Sequence, residues 1–322
     1  MQTELTTTAS AELTTAANTI AALDQTVRAN LQNTRAVNTR KAQASDLRAF
    51  AAFAAELGLD PEAPTTLARY LAHLDTKGAA SATILRHAAT IRTCIPNTAH
   101  PAITAQLDGI RRGRVATGGN RQNQAAAITP SDLAAILRAL PPTLAGLRNR
   151  ALLLLGFAGA FREAELVALT TSDITPDPRG VLVTVQHSKT DQGGEGRVVA
   201  VPFGAEGACP VAALRAWLTA AAITSGPILR SVNRHGQIGT ALTSHAVDGI
   251  IQAAAKAAGL TTRFTGHSLR AGLVTAAFNA GVQEADIMRL TGHKSVVTLR
   301  RYRRTVDAWQ GNAAAPVLAA IR

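Results

Sequence analysis

Apolar positions recur at helical spacing along most of the chain. Between Thr39 and Leu57 they run through Leu47, Phe50, Ala51 and Ala54, while Arg35, Arg40, Lys41 and Arg48 mark the N-terminal part of the segment. Gly58 ends this helix, and Pro61 and Pro64 fall in the next loop. The pattern predicts a second amphipathic helix over Thr65–Asp75, closed by Lys77 and Gly78, and a third over Ala80–Ile95, ended by Pro96. A fourth runs from Pro101 to about Arg114. Residues 115–128, VATGGNRQNQAAAI, are small and polar with paired glycines, the composition of a flexible linker. Beyond it, Pro130 and Asp132 suit a helix start, and Leu147–Phe157 is apolar enough for a core helix. Arg162 and Glu165 lie three apart on one face of the next segment, with Leu166 and Leu169 turned to the core. Val181–Gln186 and Val198–Pro202 are β-rich and joined by the glycine-containing stretch His187–Arg197, which reads as a hairpin. Helices over Val211–Ala222 and Ser244–Ala258 flank an exposed loop at Asn233–Gly239. His267 and Arg270 open a further helix whose buried stripe is Leu273, Val274, Ala277 and Phe278, stopped by Gly281. Short helices follow at Gln283–Leu290 and from about Ser295, and Ala315–Ile321 is a last apolar piece.

The fold class expected is mainly α, in two domains. Residues 1–24 form a flexible Thr/Ala-rich tail, 25–115 a helical domain, 116–128 the linker, and 129–322 a mostly helical α+β domain with a small antiparallel sheet. The chain's 322 residues suit about two domains. Its hydrophobic content is 47% but aromatics are only 3%, so alanine and leucine must fill the cores, which favours helices.

The net charge of +12 points to a polyanionic partner. Each basic run in the first domain reads alone as a solvated helix face. Together Arg40, Lys41 and Arg48, then Arg86 and Arg92, then Arg111, Arg112 and Arg114 make a DNA-facing surface. The two cysteines, Cys94 and Cys209, have no neighbours at metal-binding spacing and read as reduced, partly buried thiols. No apolar run is long enough for a membrane span. No Lys or Arg precedes Arg28, which argues against a signal peptide, so a cytoplasmic, nucleoid-associated location is expected.

Tyr302 stands among Arg300, Arg301, Arg303 and Arg304. A phenol ordinarily ionises near pH 10, and nearby cations favour the phenolate and attract phosphate. A phenolate can attack phosphorus and hold it covalently. Alone, Tyr302 reads as a half-buried aromatic on a basic helix, and Arg162–Glu165 as a surface ion pair. Lys189 alone is a solvated loop lysine. Yet only five of the 33 basic residues are lysine, and lysine, unlike arginine, can give up its proton.

The spacing His267-x-x-Arg270, then Gly292-His293, then Tyr302 nine residues on, resembles the C-terminal signature of the tyrosine recombinase (phage integrase) family. Arg162-x-x-Glu165-Leu166 and Lys189 on its hairpin match that family's upstream elements, and the likeness covers roughly residues 30–310. In the first domain, Asn38–Lys41, Arg48–Phe53 and Thr83–His87 resemble the core-binding domain of Cre-type recombinases, two of whose helices lie in the major groove.

The resemblance implies a catalytic set of Arg162, Lys189, His267, Arg270, His293 and the nucleophile Tyr302, with Glu165 supporting. The two guanidiniums would match charge on the nonbridging oxygens, and His293 would add a donor. Lys189 would protonate the leaving 5′-oxygen, with Lys294 a rival for that task. His267 would orient, or exchange protons with, the nucleophile or phosphate. The implied intermediate is a 3′-phosphotyrosyl link that needs no ATP, metal or other cofactor. The implied partners are double-stranded DNA with inverted-repeat target sites and three further copies of a chain that is monomeric in solution, the C-terminal helix docking on a neighbour. The linker would let the two domains close around the duplex. Two rivals are a type IB topoisomerase-like enzyme and a DNA-binding regulator with a decayed site. A covalent protein–DNA adduct excludes the second, and exchange between two plasmids excludes the first.

Overall fold

The described residues of the first unit include four long helices, α1 (Val37–Glu56), α2 (Pro64–Thr76), α3 (Ser81–Cys94) and α4 (Pro101–Ala116). The structure, a computed structural model, describes residues 37–116, 126–186, 196–303 and 314–321, with Leu23, Gln25 and Thr26. Its contacts divide the chain into Met1–Asn123 and Gln124–Arg322. In the first unit Phe50, Phe53, Tyr70, Leu67, Leu71, Ile84, Ile91 and Ile103 form the core. Tyr70 meets Phe50 nearly edge-on at 5.2 Å between ring centres.

A polar knot runs through this core. Asp46, buried in α1, accepts from Arg86 Nη1 at 2.6 Å and from Thr90 Oγ1 at 3.1 Å, both on α3. His87 Nε2 lies 3.1 Å from the same carboxylate, and its Nδ1 lies 3.1 Å from the Tyr70 hydroxyl. Arg114 of α4 donates through Nε to Asp75 at 2.8 Å and through Nη1 to Ser81 at 3.3 Å. Asp46, His87 and Thr90 are buried and need such partners, and the partners lie on different helices, so the knot fixes how the helices pack.

The second unit opens with α5 (Pro130–Ala139), α6 (Leu144–Ala158) and α7 (Glu163–Ala168). Thr129 and Asp132 cap α5 reciprocally, side chain to backbone in each direction, at 3.1 and 3.0 Å. Strands β1 (Ile174–Asp177), β2 (Gly180–Val185) and β3 (Arg197–Pro202) form an antiparallel sheet with β2 at the centre. Val181, Val183, Val185, Val199 and Val201 alternate onto its core face. Then come α8 (Pro210–Ala220), the hairpin β4 (Arg230–Val232) and β5 (Ile238–Ala241), and α9 (Ser244–Ala257). Last are α10 (Gly266–Asn279), α11 (Glu284–Thr291), α12 (Val296–Arg303) and α13 (Ala314–Ala319). Trp217 of α8 is fully buried and donates through Nε1 to the Ile228 carbonyl at 2.7 Å.

Several sequence expectations need correction. Strand β1 and the β4–β5 hairpin stand where no strand was expected, because three- and four-residue strands carry too little alternation to read. The Asn233 side chain makes that hairpin's turn, accepting the N–H groups of His235 and Gln237, each at 2.9 Å. The expected linker is too long at both ends. Helix α4 continues to Ala116, and Ile128 is wholly buried, its N–H bonded to the Ser268 carbonyl at 3.1 Å. A Cβ on Gly272 of α10 would sit 2.1 Å from the Ile128 carbonyl oxygen, so only glycine admits that approach. Cys94 is exposed rather than partly buried, while Cys209 caps α8 by accepting the Ala212 N–H at 3.4 Å. The expected tail (1–24, apart from Leu23), Lys189 and Arg304 lie outside the described residues. Among the described residues, no helix is long and apolar enough to cross a membrane.

Candidate active site

Arg162 precedes the short helix α7 in extended conformation, with Phe161 beside it buried in the core. Three residues on, Glu165 turns back. Its Oε2 accepts the Arg162 backbone N–H at 3.0 Å, and its Oε1 accepts from Arg162 Nη1 at 2.6 Å. The carboxylate is 3% exposed, so the expected surface ion pair is a buried one. Arg197, the first residue of β3, completes it by donating from Nη2 to Glu165 Oε2 at 2.6 Å. Burial alone would raise this carboxyl's pKa. The Arg162 backbone N–H and the two guanidiniums outweigh it and hold the group below its ordinary value.

Arg270 lies in the first turn of α10 and is 1% exposed. It donates through Nη1 to the Ala160 carbonyl at 2.7 Å and through Nη2 to the Thr291 carbonyl at 2.8 Å. Burial and the neighbouring Arg162 lower its pKa to about 10, which still leaves it cationic near neutrality. Its Nη2 also lies 3.3 Å from His293 Nε2.

That contact fixes the state of His293. A guanidinium can only donate, so Nε2 accepts and a neutral ring carries its proton on Nδ1. Nδ1 sits 2.6 Å from Thr291 Oγ1, whose hydroxyl donates to the Ile287 carbonyl at 2.6 Å. Burial, with Arg270 and Arg162 nearby, pushes the His293 pKa down to about 4. In this arrangement His293 accepts from Arg270 and donates to Thr291. Gly292, just before it, ends α11 in the left-handed region at φ 68°.

Tyr302 sits on α12, half-buried against Val274, Ile287 and Leu299. Its hydroxyl is 3.0 Å from His267 Nε2, and its ring centre is 5.8 Å from that of His293. The His267 backbone N–H donates to Glu163 Oε1 at 3.0 Å, and the Gly266 N–H to Asp248 Oδ1 at 2.7 Å. Burial raises the Glu163 pKa, and the adjacent Asp248 adds to the effect. The His267 pKa is lowered by lost hydration and by Arg270 and Arg162.

The structure thus brings Arg162, Glu165, His267, Arg270, His293 and Tyr302 together. Lys189 lies outside the described residues, and Lys294 is exposed. In the first unit Lys41, Arg48, Arg111 and Arg112 are exposed, and Arg40 and Arg92 are half-buried. Arg86 and Arg114 are engaged with Asp46 and Asp75. Arg197 and Thr291 escaped the sequence reading. Thr291 adjoins the Gly-His pair, which is a local signal, but nothing in the spacing marks Arg197.

The profile of the phage integrase family matches residues 126–308, more than half of the chain and all of the site described above. The chain belongs to that family. An integrase/recombinase XerD homologue of Selenomonas ruminantium is 34% identical over 297 residues, covering 88% of this chain and 86% of the relative. A tyrosine recombinase of Synechococcus elongatus is 28% identical over 302 residues, covering 87% and 89%. Among solved structures, the Tn1549 transposon integrase in complex with transposon right end DNA aligns over 92% of this chain and 97% of its own, with TM-score 0.64 and 15% identity. A lambda integrase dimer bound to a core site aligns over 88% and 77%, with TM-score 0.56 and 19% identity. These two likenesses establish the fold of this integrase-family chain: mostly helical units with a small antiparallel sheet.

Proposed function

We propose that this integrase-family protein is a site-specific recombinase that cuts and rejoins DNA strands through a 3′-phosphotyrosyl intermediate on Tyr302. The observation that carries the reading is the Tyr302 hydroxyl, 3.0 Å from His267 Nε2, beside the buried Arg270 and the half-buried Arg162. His267 Nε2 takes the phenolic proton as the oxygen attacks phosphorus. Arg162, aimed by Glu165, and Arg270, aimed by Ala160, Thr291 and His293, face the charge that grows on the nonbridging oxygens. The bond from phosphorus to the 5′-oxygen breaks, and that oxygen takes a proton from Lys189, or from Lys294 as the alternative. The phosphodiester energy stays in the tyrosyl ester, so a 5′-hydroxyl from a partner duplex can attack it and reseal the strand without ATP.

The partner proposed is duplex DNA with inverted-repeat sites. Lys41 and Arg48 on α1, Arg92 on α3, and Arg111 and Arg112 on α4 offer cations to its backbone. Arg40, Arg86 and Arg114 complete the proposed surface. Arg86 and Arg114 would add positive charge to it while their ion pairs with Asp46 and Asp75 stay formed. The assembly proposed is a tetramer. Val317, Leu318 and Ile321, on and just after α13, are exposed apolar side chains suited to dock on a neighbouring copy.

The test incubates the protein with random DNA fragments and recovers, after denaturation, whatever is covalently attached. The expected result is an adduct mapping to Tyr302 on fragments sharing an inverted repeat, with Tyr302→Phe binding the same DNA but giving no adduct. DNA binding without any adduct from the wild-type protein would overturn the reading. An adduct from Tyr302→Phe would overturn the choice of nucleophile.

A further inference from the structure

We propose that Arg197 is a positioning residue of the strand-cleaving site, clamping Glu165 to the Leu290 carbonyl so that Arg162 and the His293 turn keep one common frame. The inference rests on the reading of Tyr302 as the nucleophile.

Arg197 comes from the sheet, and its two terminal nitrogens reach two different elements. Nη2 donates to Glu165 Oε2 at 2.6 Å, and Nη1 donates to the Leu290 carbonyl. Glu165 in turn holds Arg162 Nη1. Leu290 is one residue before Thr291, whose carbonyl is held by Arg270. The last two carbonyls of α11, at the negative end of its dipole, are therefore each fixed by a separate guanidinium, and His293 follows two residues later. The turn also runs close beside the arginine. A Cβ on Gly292 would lie 3.1 Å from both Cδ and Nε of Arg197.

The Arg197 Nε is buried with no hydrogen-bond partner among the described residues. Nη1 and Nη2 each hold an oxygen of a different element, and those elements carry His293 and Arg162, so the group's effect on the site passes through Leu290 and Glu165. Lysine could keep the charge beside Glu165 but is a point donor on a flexible stem, and it cannot span both acceptors.

The experiment uses full-length protein and the DNA sequence recovered by adduct capture. Wild type, Arg197→Lys and Arg197→Met are compared for the maximal rate of covalent complex formation and for the DNA concentration giving half that rate. The expected result is a maximal rate lowered on the order of 100-fold in Arg197→Met, with little recovery in Arg197→Lys and an unchanged half-saturating concentration. Arg197→Lys keeps a cation against the buried carboxylate, so it serves where Arg197→Met does not fold. A second substrate carries a methyl in place of one nonbridging oxygen at the scissile phosphorus. With less charge to neutralise there, placement of Arg162 matters less, and the gap between wild type and Arg197→Lys should narrow. An Arg197→Lys protein as fast as wild type overturns the proposal, as does a gap that the neutral substrate leaves unchanged. A wild-type protein that forms no adduct sinks the Tyr302 reading instead, and the parallel control separates the two failures.

Discussion

Arg270 and His293 hold each other in one protonation state. The guanidinium needs an acceptor at Nε2, and a protonated imidazole has none, so charging His293 costs the contact and adds a cation beside Arg270 and Arg162. In an unfolded chain a histidine titrates near pH 6.5, whereas His293 in the fold does so at about 4. As pH falls through that window the unfolded chain takes up the proton first, so stability is present above about 6.5 and declines towards 4. His267, also lowered, acts in the same direction. The loss of urea midpoint between about pH 7 and about pH 5 should be smaller in His293→Gln than in wild type. Equal losses in the two proteins would show that the ring is not held neutral by its surroundings. None of this was readable from Gly292-His293 in the sequence. The motif marks the residue, but its tautomer depends on Thr291, and its charge on arginines far along the chain.

At the scale of elements, what was legible followed from local chemistry. Gly58, Pro96 and Gly281 are breakers that act through their own backbone, so the ends of α1, α3 and α10 fell within a residue or two of expectation. Helical spacing puts His267 and Arg270 on one face of α10, but it was the family resemblance of the whole His-x-x-Arg, Gly-His and Tyr pattern that singled out Tyr302 on α12. What failed was tertiary. Ile128 looked like the last residue of a small polar linker because its partners, Ser268 and Gly272, are more than a hundred residues away. Arg197 was silent because its partners, Glu165 and Leu290, lie on other elements 32 and 93 residues away. The Ile128 assignment has a direct consequence for stability. Ile128→Ala should destabilise the second unit by about 2–5 kcal/mol, the range for truncating a fully buried aliphatic chain, read from chemical unfolding at neutral pH. A true linker residue would change nothing, so an unaltered unfolding curve would return Ile128 to the linker.

At the scale of the whole molecule, net charge and the placement of the two tryptophans each carry a prediction. The +12 net charge predicts binding to duplex DNA that weakens steeply with salt. With Lys41, Arg48, Arg111 and Arg112 at phosphates, the logarithmic slope of affinity against salt should be about −3 or steeper, measured by anisotropy with a labelled duplex. A flat dependence would count against a basic interface. Trp217, sealed in the second unit against the Ile228 carbonyl, has a different use. The chain's other tryptophan, Trp309, also falls after Asn123, and the first unit's single tyrosine is Tyr70. Indole emission is therefore blind to the first unit, while the shared helical dichroism sees both. Following one denaturant titration by the two signals would reveal whether the halves melt as one cooperative body or as two, without any label or truncation.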